Sequence, residues 1–249
     1  MSGHSKWATI KRKKGALDTK RGKLFTKLIK EITVAARMGG GDVDGNPRLR
    51  KAINDAKGDA MPAETIKRAV QRGSGEIEGV IYDEILYEGT GPNGTLFLVE
   101  AMTDNKNRTV AEIRKVFERN NGLLGGGGTA QWAFDRKGII IIPKDAATED
   151  QLMEIAVGGG ADDYTDMGDD WQVIAPIPVL DPILKALEEA KITVRSGNAG
   201  YVPKNKKEVL GRDAEVCLNL AETLDDHDDV QNVYSNFDIP EEEIAKLTE

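Results

Sequence analysis

A single cysteine, Cys217, in 249 residues excludes an intramolecular disulfide and any zinc site built on paired cysteines. Its setting in an apolar stripe reads as a small buried thiol in a reducing compartment. Histidine is nearly as scarce: His4 and His227 are the only two. No serine sits in a G-x-S-x-G elbow, so no motif joins a nucleophile to its base. No apolar run approaches the roughly 20 residues needed to span a bilayer. The N-terminus is positively charged but lacks an apolar stretch behind it, so it does not read as a secretory signal. It is also too Lys-rich for a mitochondrial presequence. These absences predict a soluble cytoplasmic protein that is not an enzyme, with no metal, cofactor, membrane or small-molecule substrate.

Acid is missing where base is dense. The net charge is −8, yet residues 1–73 hold 18 Lys and Arg against 7 Asp and Glu, a net +11, which leaves −19 for the remainder. Residues 1–30 carry ten basic side chains and one acid, Asp18. A basic front on an acidic body points to a polyanion bound at one end and held off elsewhere.

Residues 1–15 have no apolar period and read as an extended basic arm. From Ala16 to Met38, the positions Leu17, Leu24, Phe25, Leu28, Ile29, Ile32 and Ala36 recur at spacings of three and four, which predicts a long amphipathic helix ended by Gly39-Gly40-Gly41. Asn46-Pro47 reads as a cap with proline in the first turn of a second helix. Pro62 opens a third, which stops at Gly73. The exposed faces of this bundle are expected to carry Lys20, Lys23, Lys27, Arg48, Arg50, Lys51, Arg68 and Arg72. Beyond the linker Gly73-Ser74-Gly75, Tyr82–Tyr87 and Thr95–Met102 alternate as two strands, and Thr109 can cap a helix. Ala130–Phe134 reads as a strand. A strand–helix–strand–strand–helix–strand run follows, with strands near 139–142, 162–166, 171–175 and 193–196 and helices near 149–158 and 180–190. That order is ferredoxin-like. A final helix (Ala214–Leu224) and strand (Val230–Tyr234) complete the unit begun at residue 80. The expected fold is therefore α+β with three domains. Residues 1–78 form a basic arm plus three-helix bundle, 79–135 and 205–249 a split α+β domain, and 136–204 a ferredoxin-like module inserted into it.

The basic front carries the strongest chemical signal. Lysine and arginine bind a phosphate backbone by releasing condensed counterions, without reading any base. The candidate contacts are His4, Lys6, Lys11, Arg12, Lys13, Lys14, Lys20, Arg21, Lys23 and Lys27, with Arg48 and Arg50 on the bundle. Trp7 is the one aromatic of the arm and is placed either on an unpaired base, where stacking contributes about 1–3 kcal/mol, or against the bundle. A second candidate is the strand-to-helix segment Thr103–Thr109. There Asn105, Asn107 and Arg108 either hold an anion or cap the helix. Gly122–Thr129 is glycine-rich like a phosphate loop but has Gly128 where a P-loop lysine belongs, so it reads as a turn. The acidic run Asp225–Asp229 lacks calcium-loop spacing and reads as a solvated helix end.

Taken together, Gly3-His4-Ser5-Lys6-Trp7, Lys20-Arg21-Gly22-Lys23-Leu24-Phe25-Thr26-Lys27, Gly40-Gly41-Asp42 with Asn46-Pro47-Arg48-Leu49-Arg50, and Thr103–Thr109 closely resemble the YebC family. These are the bacterial relatives of the mitochondrial translational activator of cytochrome c oxidase subunit I. Asp228-Asp229-Val230-Gln231-Asn232-Val233-Tyr234 resembles the family's ending, so the likeness spans essentially the whole chain. It departs at Leu123, where relatives usually have Asn in a Gly-Gly-Asn-Leu-Gly turn, and at Asn121 and Gly126–Gly128, which leaves a ligand role for that loop unsupported. The resemblance implies a helical domain followed by two α+β domains, the third inserted in the second. It also implies a non-enzymatic regulator of gene expression. The family carries two descriptions, a ribosome-associated translation factor that relieves stalling on proline-rich segments and a DNA-binding transcriptional regulator. The residues themselves favour RNA slightly over duplex DNA, and with the resemblance this implies ribosomal RNA or tRNA as partner and duplex DNA as the alternative. The bundle faces offer chiefly Lys and Arg and few groups to read base edges.

Overall fold

A computed structural model describes residues 17–240 and 242–244. The arm expected over residues 1–15 lies outside the described residues. Helix α1 (Leu17–Gly39) follows the predicted apolar period, burying Ile32, Ala35 and Ala36, and Gly40 turns the chain at φ +85°. Asn46 caps α2 (Pro47–Gly58) by accepting the Leu49 amide at 3.1 Å, and its own Nδ2 donates to Ala35 O and Gly40 O. Helix α3 (Ala63–Ser74) ends where Gly75 adopts φ +82°. Small residues let α1 and α3 approach closely: a Cβ built on Gly73 would lie 2.3 Å from Thr33 O and 2.6 Å from Ala36 Cβ. Gly73→Ala is therefore expected to destabilise the protein by about 1–3 kcal/mol in urea unfolding, although alanine has the higher helix propensity. A neutral or stabilising result would show that the two backbones can separate freely.

The first sheet has four strands drawn from two distant parts of the chain. Strands β1 (Asp83–Thr90) and β2 (Leu96–Thr103) form an antiparallel hairpin through a 3₁₀ turn at Pro92–Gly94. Helix α4 (Lys106–Arg119) leads to the short β3 (Leu123–Leu124), which pairs with Gly89 and Thr90. Late in the chain, α7 (Gly211–Asp225) precedes β9 (Val230–Ser235), and β9 adds antiparallel to β2. Phe97, Ile113, Phe117, Cys217, Leu220, Leu224 and Val233 pack between α4, α7 and this sheet. The opposite face gathers Leu98, Ala130, Ala133, Phe134 and Tyr234.

The second sheet lies wholly between residues 134 and 203, in the order β5-β6-β4-β7. It comprises β4 (Phe134–Pro143), β5 (Asp163–Asp166), β6 (Asp170–Ala175) and β7 (Ser196–Pro203). Helix α5 (Glu149–Leu152) continues through a π turn (Met153–Val157), and α6 is Ile177–Glu189. Element order and sheet order together are ferredoxin-like, so the architecture is the α+β arrangement expected from the sequence. The two-residue strands β8 (Lys207–Glu208) and β10 (Phe237–Asp238) form one parallel pair near the end.

Two local expectations are corrected. The strand expected at 130–134 is a 3₁₀ turn, Gln131–Ala133, because the amides of Ala130 and Gln131 are taken by the Glu88 carboxylate instead of a ladder. The last strand of the inserted module runs 196–203 instead of 193–196. It escaped the alternation rule because glycines occupy packed positions. A Cβ on Gly197 would come within 2.4 Å of Leu184, and one on Gly200 within 3.1 Å of Tyr234.

Candidate nucleic-acid interface and its ionic joint

Lysines at positions 23, 27 and 30 share one face of α1 because their spacings of four and three match the helical repeat. The structure turns that face onto the end of α7 and the turn after it. Lys23 Nζ donates to Asp226 O at 2.8 Å, and Lys27 Nζ to Asp225 O at 2.9 Å and Asp225 Oδ1 at 3.2 Å. Lys30 Nζ donates to Asp229 Oδ1 at 2.6 Å, Asp228 O at 2.9 Å and Met102 O at 3.2 Å. Carbonyls at a helix C-terminus lack intrahelical donors and carry the negative end of the helix dipole, so lysines satisfy both needs. Of the bundle residues expected on exposed faces, Lys23 and Lys27 are thus half-buried against the C-terminal part.

Asp229 is the centre of this joint. It is 4% exposed, and its second oxygen accepts from Thr109 Oγ1 at 2.6 Å, Arg108 Nη2 at 2.7 Å and Thr103 Oγ1 at 3.2 Å. Burial pushes its carboxyl up, but the hydrogen bonds from Lys30, Thr109 and Arg108 outweigh that and hold it well below the usual carboxylate range. The acidic run read as a solvated helix end is therefore a helix end engaged by lysines. It escaped sequence reading because its partners lie some 200 residues away.

The segment Thr103–Thr109 is built into the same network. Asn105 Oδ1 accepts the Arg108 amide at 3.1 Å, capping α4, and Thr109 Oγ1 lies 2.7 Å from Thr103 Oγ1. Arg108 also bonds Asp104 at 2.9 Å, while Asn107 is exposed. Of the two readings open for this segment, the structure supplies the cap. On the bundle, Arg48 donates to Glu31 at 2.7 Å and to Glu84 of β1 at 2.6 Å, which ties α1, α2 and the first sheet together. Those hydrogen bonds, Glu31 first, hold its guanidinium even more firmly protonated than usual. Arg50 is exposed and donates to the carbonyls of Val43 and Asp44. His4, Lys6, Trp7, Lys11, Arg12, Lys13 and Lys14 lie outside the described residues, as do the side chains of Lys20 and Arg21.

Glu112, His227 and Asp229 bring ligand-type atoms within 4.8 Å of one another. Their donors are already committed. His227 Nδ1 accepts the Asp229 amide at 3.1 Å, so Nε2 carries the hydrogen and faces Glu112 at 2.9 Å. Asp229 is filled by the joint, so the group offers no coherent ligand set.

The glycine-rich run is a fastened turn. Glu88, 5% exposed, accepts the amides of Gly128 at 2.9 Å, Ala130 at 2.6 Å and Gln131 at 2.8 Å. Burial works to raise its carboxyl, and these amides hold it below the ordinary value. An anion site there is thus occupied by the chain's own carboxylate. Glu88→Ala is expected to lower stability by about 2 kcal/mol and to speed amide exchange at Gly128, Ala130 and Gln131; unchanged exchange would refute the anchor.

Cys217 is fully buried, its thiol pushed up to about 11 chiefly by desolvation. Labelling by a thiol reagent in the native protein should be slower than for the urea-unfolded chain by orders of magnitude. Among the described residues, no helix is long and apolar enough to cross a membrane.

Comparison with known proteins places these features in a family. Residues 5–76 match the model of the TACO1/YebC protein N-terminal domain, and residues 82–237 that of the TACO1/YebC second and third domain. A protein of Desulfotalea psychrophila named a probable transcriptional regulatory protein is 54% identical over 250 residues, covering 100% of both chains. One of the same name from Chloroherpeton thalassium is 55% identical over 250 residues, again covering 100% of both. The crystal structure of a conserved hypothetical protein from Aquifex aeolicus superimposes with a TM-score of 0.86 at 39% identity, covering 91% of this chain and 93% of that one.

Proposed function

The chain belongs to the TACO1/YebC family, and from that premise we propose that it is a non-enzymatic regulator of gene expression that binds nucleic acid through its basic front. The observation that carries this is the distribution of charge. Lys23, Lys27 and Lys30 spend their charge on the joint, whereas the five basic residues from Lys6 to Lys14 stand in a segment with no acid at all. His4, Lys6, Trp7, Lys11, Arg12, Lys13, Lys14, Lys20 and Arg21 are the proposed contacts. Of the other expected contacts, Lys23, Lys27, Arg48, Asn105 and Arg108 are engaged within the chain, and the exposed Arg50 and Asn107 are proposed to line the approach.

The finer reading is a cytoplasmic, ribosome-associated translation factor that relieves stalling on proline-rich segments by positioning ribosomal RNA or tRNA. Orientation, with no chemical step of its own, is how it would act. A basic segment on a body of net −19 beyond residue 73 suits a crowded RNA cleft, with the body kept outside. The domain division that goes with this reading is 1–78, 79–135 with 205–249, and 136–204. A DNA-binding transcriptional regulator is the second reading, favoured by the names of the relatives.

Cosedimentation with ribosomes across a salt series, with random duplex DNA as competitor, separates the two. Ribosome binding that survives near-physiological salt and excess duplex is the expected result. Duplex binding at least as tight, with discrimination among sequences, would put transcription first.

A further inference from the structure

We propose that the turn between β3 and β4 is a second nucleic-acid contact, at which Trp132 stacks on an unpaired nucleobase. This rests on the nucleic-acid reading above but concerns a different part of the chain, far in sequence from the basic front.

Trp132 is 66% exposed, and Leu123, at the other end of the same turn, is 63% exposed. Exposure of an indole on a loose loop would mean little. Here the loop is held at several points. Glu88 fastens Gly128, Ala130 and Gln131; Ala130 and Ala133 are buried; and Thr129 Oγ1 donates to Gly126 O at 2.7 Å. Trp132 Nε1 donates to Thr129 O at 3.1 Å, and its carbonyl accepts from Lys204 Nζ at 2.9 Å. A buried carboxylate thus stabilises a turn whose outward product is a fixed, exposed ring.

What remains on offer selects the ligand. The one N–H of the indole is already used, so the ring presents only its π surface. A Cβ placed on Gly126, Gly127 or Gly128 would have no atom within 4 Å, so that side of the turn is open to a flat group or a backbone at close range. Lys204, whose Nζ reaches the Trp132 carbonyl at 2.9 Å and lies 3.5 Å from Asp135 Oδ1, is the cation the structure places at this turn. A stable protein partner needs about 800 Å² of surface from each side, far more than two exposed apolar side chains provide. An unpaired base needs one face, and stacking accepts any base.

The test compares wild type, Trp132→Ala and Trp132→Phe in binding a 12-nucleotide oligo(U) and a 12-base-pair RNA duplex at 0.1 M salt. Circular dichroism establishes that the exposed-site variants remain folded. Expected are saturable quenching by the single strand in the wild-type-minus-W132F fluorescence difference, and about tenfold weaker single-strand binding by W132A. Binding by W132F should stay close to wild type, and the salt slope should be unchanged, since no phosphate contact is lost. Wild-type affinity in W132A, or equal quenching by the duplex, overturns the stacking site while leaving the basic front intact. Ribosome association lost in W132A with oligonucleotide binding unchanged assigns the ring to a surface other than an unpaired base and also overturns it. Wild type that binds neither RNA removes the nucleic-acid reading itself, and the stacking site with it.

Discussion

Asp229→Ala is expected to lower stability by about 3–5 kcal/mol, measured by urea unfolding at pH 7, because it leaves the Lys30 ammonium buried without its counter-ion. Lys30 keeps two carbonyl acceptors, Met102 O and Asp228 O, but carbonyl dipoles do not neutralise a charge in a dry joint. Thr103, Thr109 and Arg108 lose their shared acceptor at the same time. Lys30→Met removes the charge and keeps the volume, and leaves Asp229 with Arg108, so it should be milder. The double variant should recover part of the Asp229→Ala loss, and that recovery measures the pair directly. Faster amide exchange in α1 and in β2 near Met102 should accompany the loss, since the joint holds α1 to the end of β2 and the turn before β9. A change within 1 kcal/mol would mean that water reaches the site and that the joint is only a surface contact. The pH dependence follows from the same geometry. The folded carboxyl titrates below its unfolded value of about 3.9, so its contribution is fully present above about pH 4 and is lost as pH falls further, through the folded value. Asp229→Ala should therefore flatten the acid limb of the stability profile.

Replacing Lys11, Arg12, Lys13 and Lys14 together by glutamine is expected to weaken RNA binding by about 10³-fold at 0.1 M salt. Each phosphate neutralised on a single strand contributes about 0.7 to the slope of log affinity against log salt, so four contribute about 3. One decade below molar salt, that slope amounts to about three decades of affinity. Both quantities are predicted together: lower affinity and a shallower salt dependence. A drop in affinity with the slope unchanged would mean that the four side chains act through shape and not through phosphate. Thermal stability measured alongside is the internal control that separates loss of phosphate contacts from loss of fold. The same variant should lose ribosome cosedimentation before it loses its fold.

The two predictions divide the lysines of the front between two uses, and that division was only half legible in the sequence. Spacing placed Lys23, Lys27 and Lys30 on one helical face, and a charge count made the whole front read as polyanion-binding. A local pattern cannot tell a lysine that faces phosphate from one that faces a helix end brought in from residue 225. The segment at Asn105 is ambiguous in the same way, since an amide before a helix serves as cap or anion contact until its neighbours are known. Glu88 was invisible for another reason. In β1 it occupies an ordinary position, and its role depends on amides 40 to 43 residues later.

The sequence by itself determined the helical period of the bundle, the cap at Asn46, the stop at Gly39–Gly41, the βαββαβ order of the inserted module and the separation of base from acid along the chain. All of these are set within a few residues by backbone geometry, side-chain periodicity and charge. That the last strand completes the first sheet was expected from the order of elements; tertiary structure alone decided that it pairs with β2, that β7 runs through glycines packed on Leu184 and Tyr234, and that Asp229 gathers Lys30, Arg108 and two threonines. It also decided that a buried Glu88 holds an exposed Trp132 in place. Each of these needs groups far apart in sequence to meet, and a buried charge, which is unfavourable alone, becomes stable only once that meeting has supplied its partners.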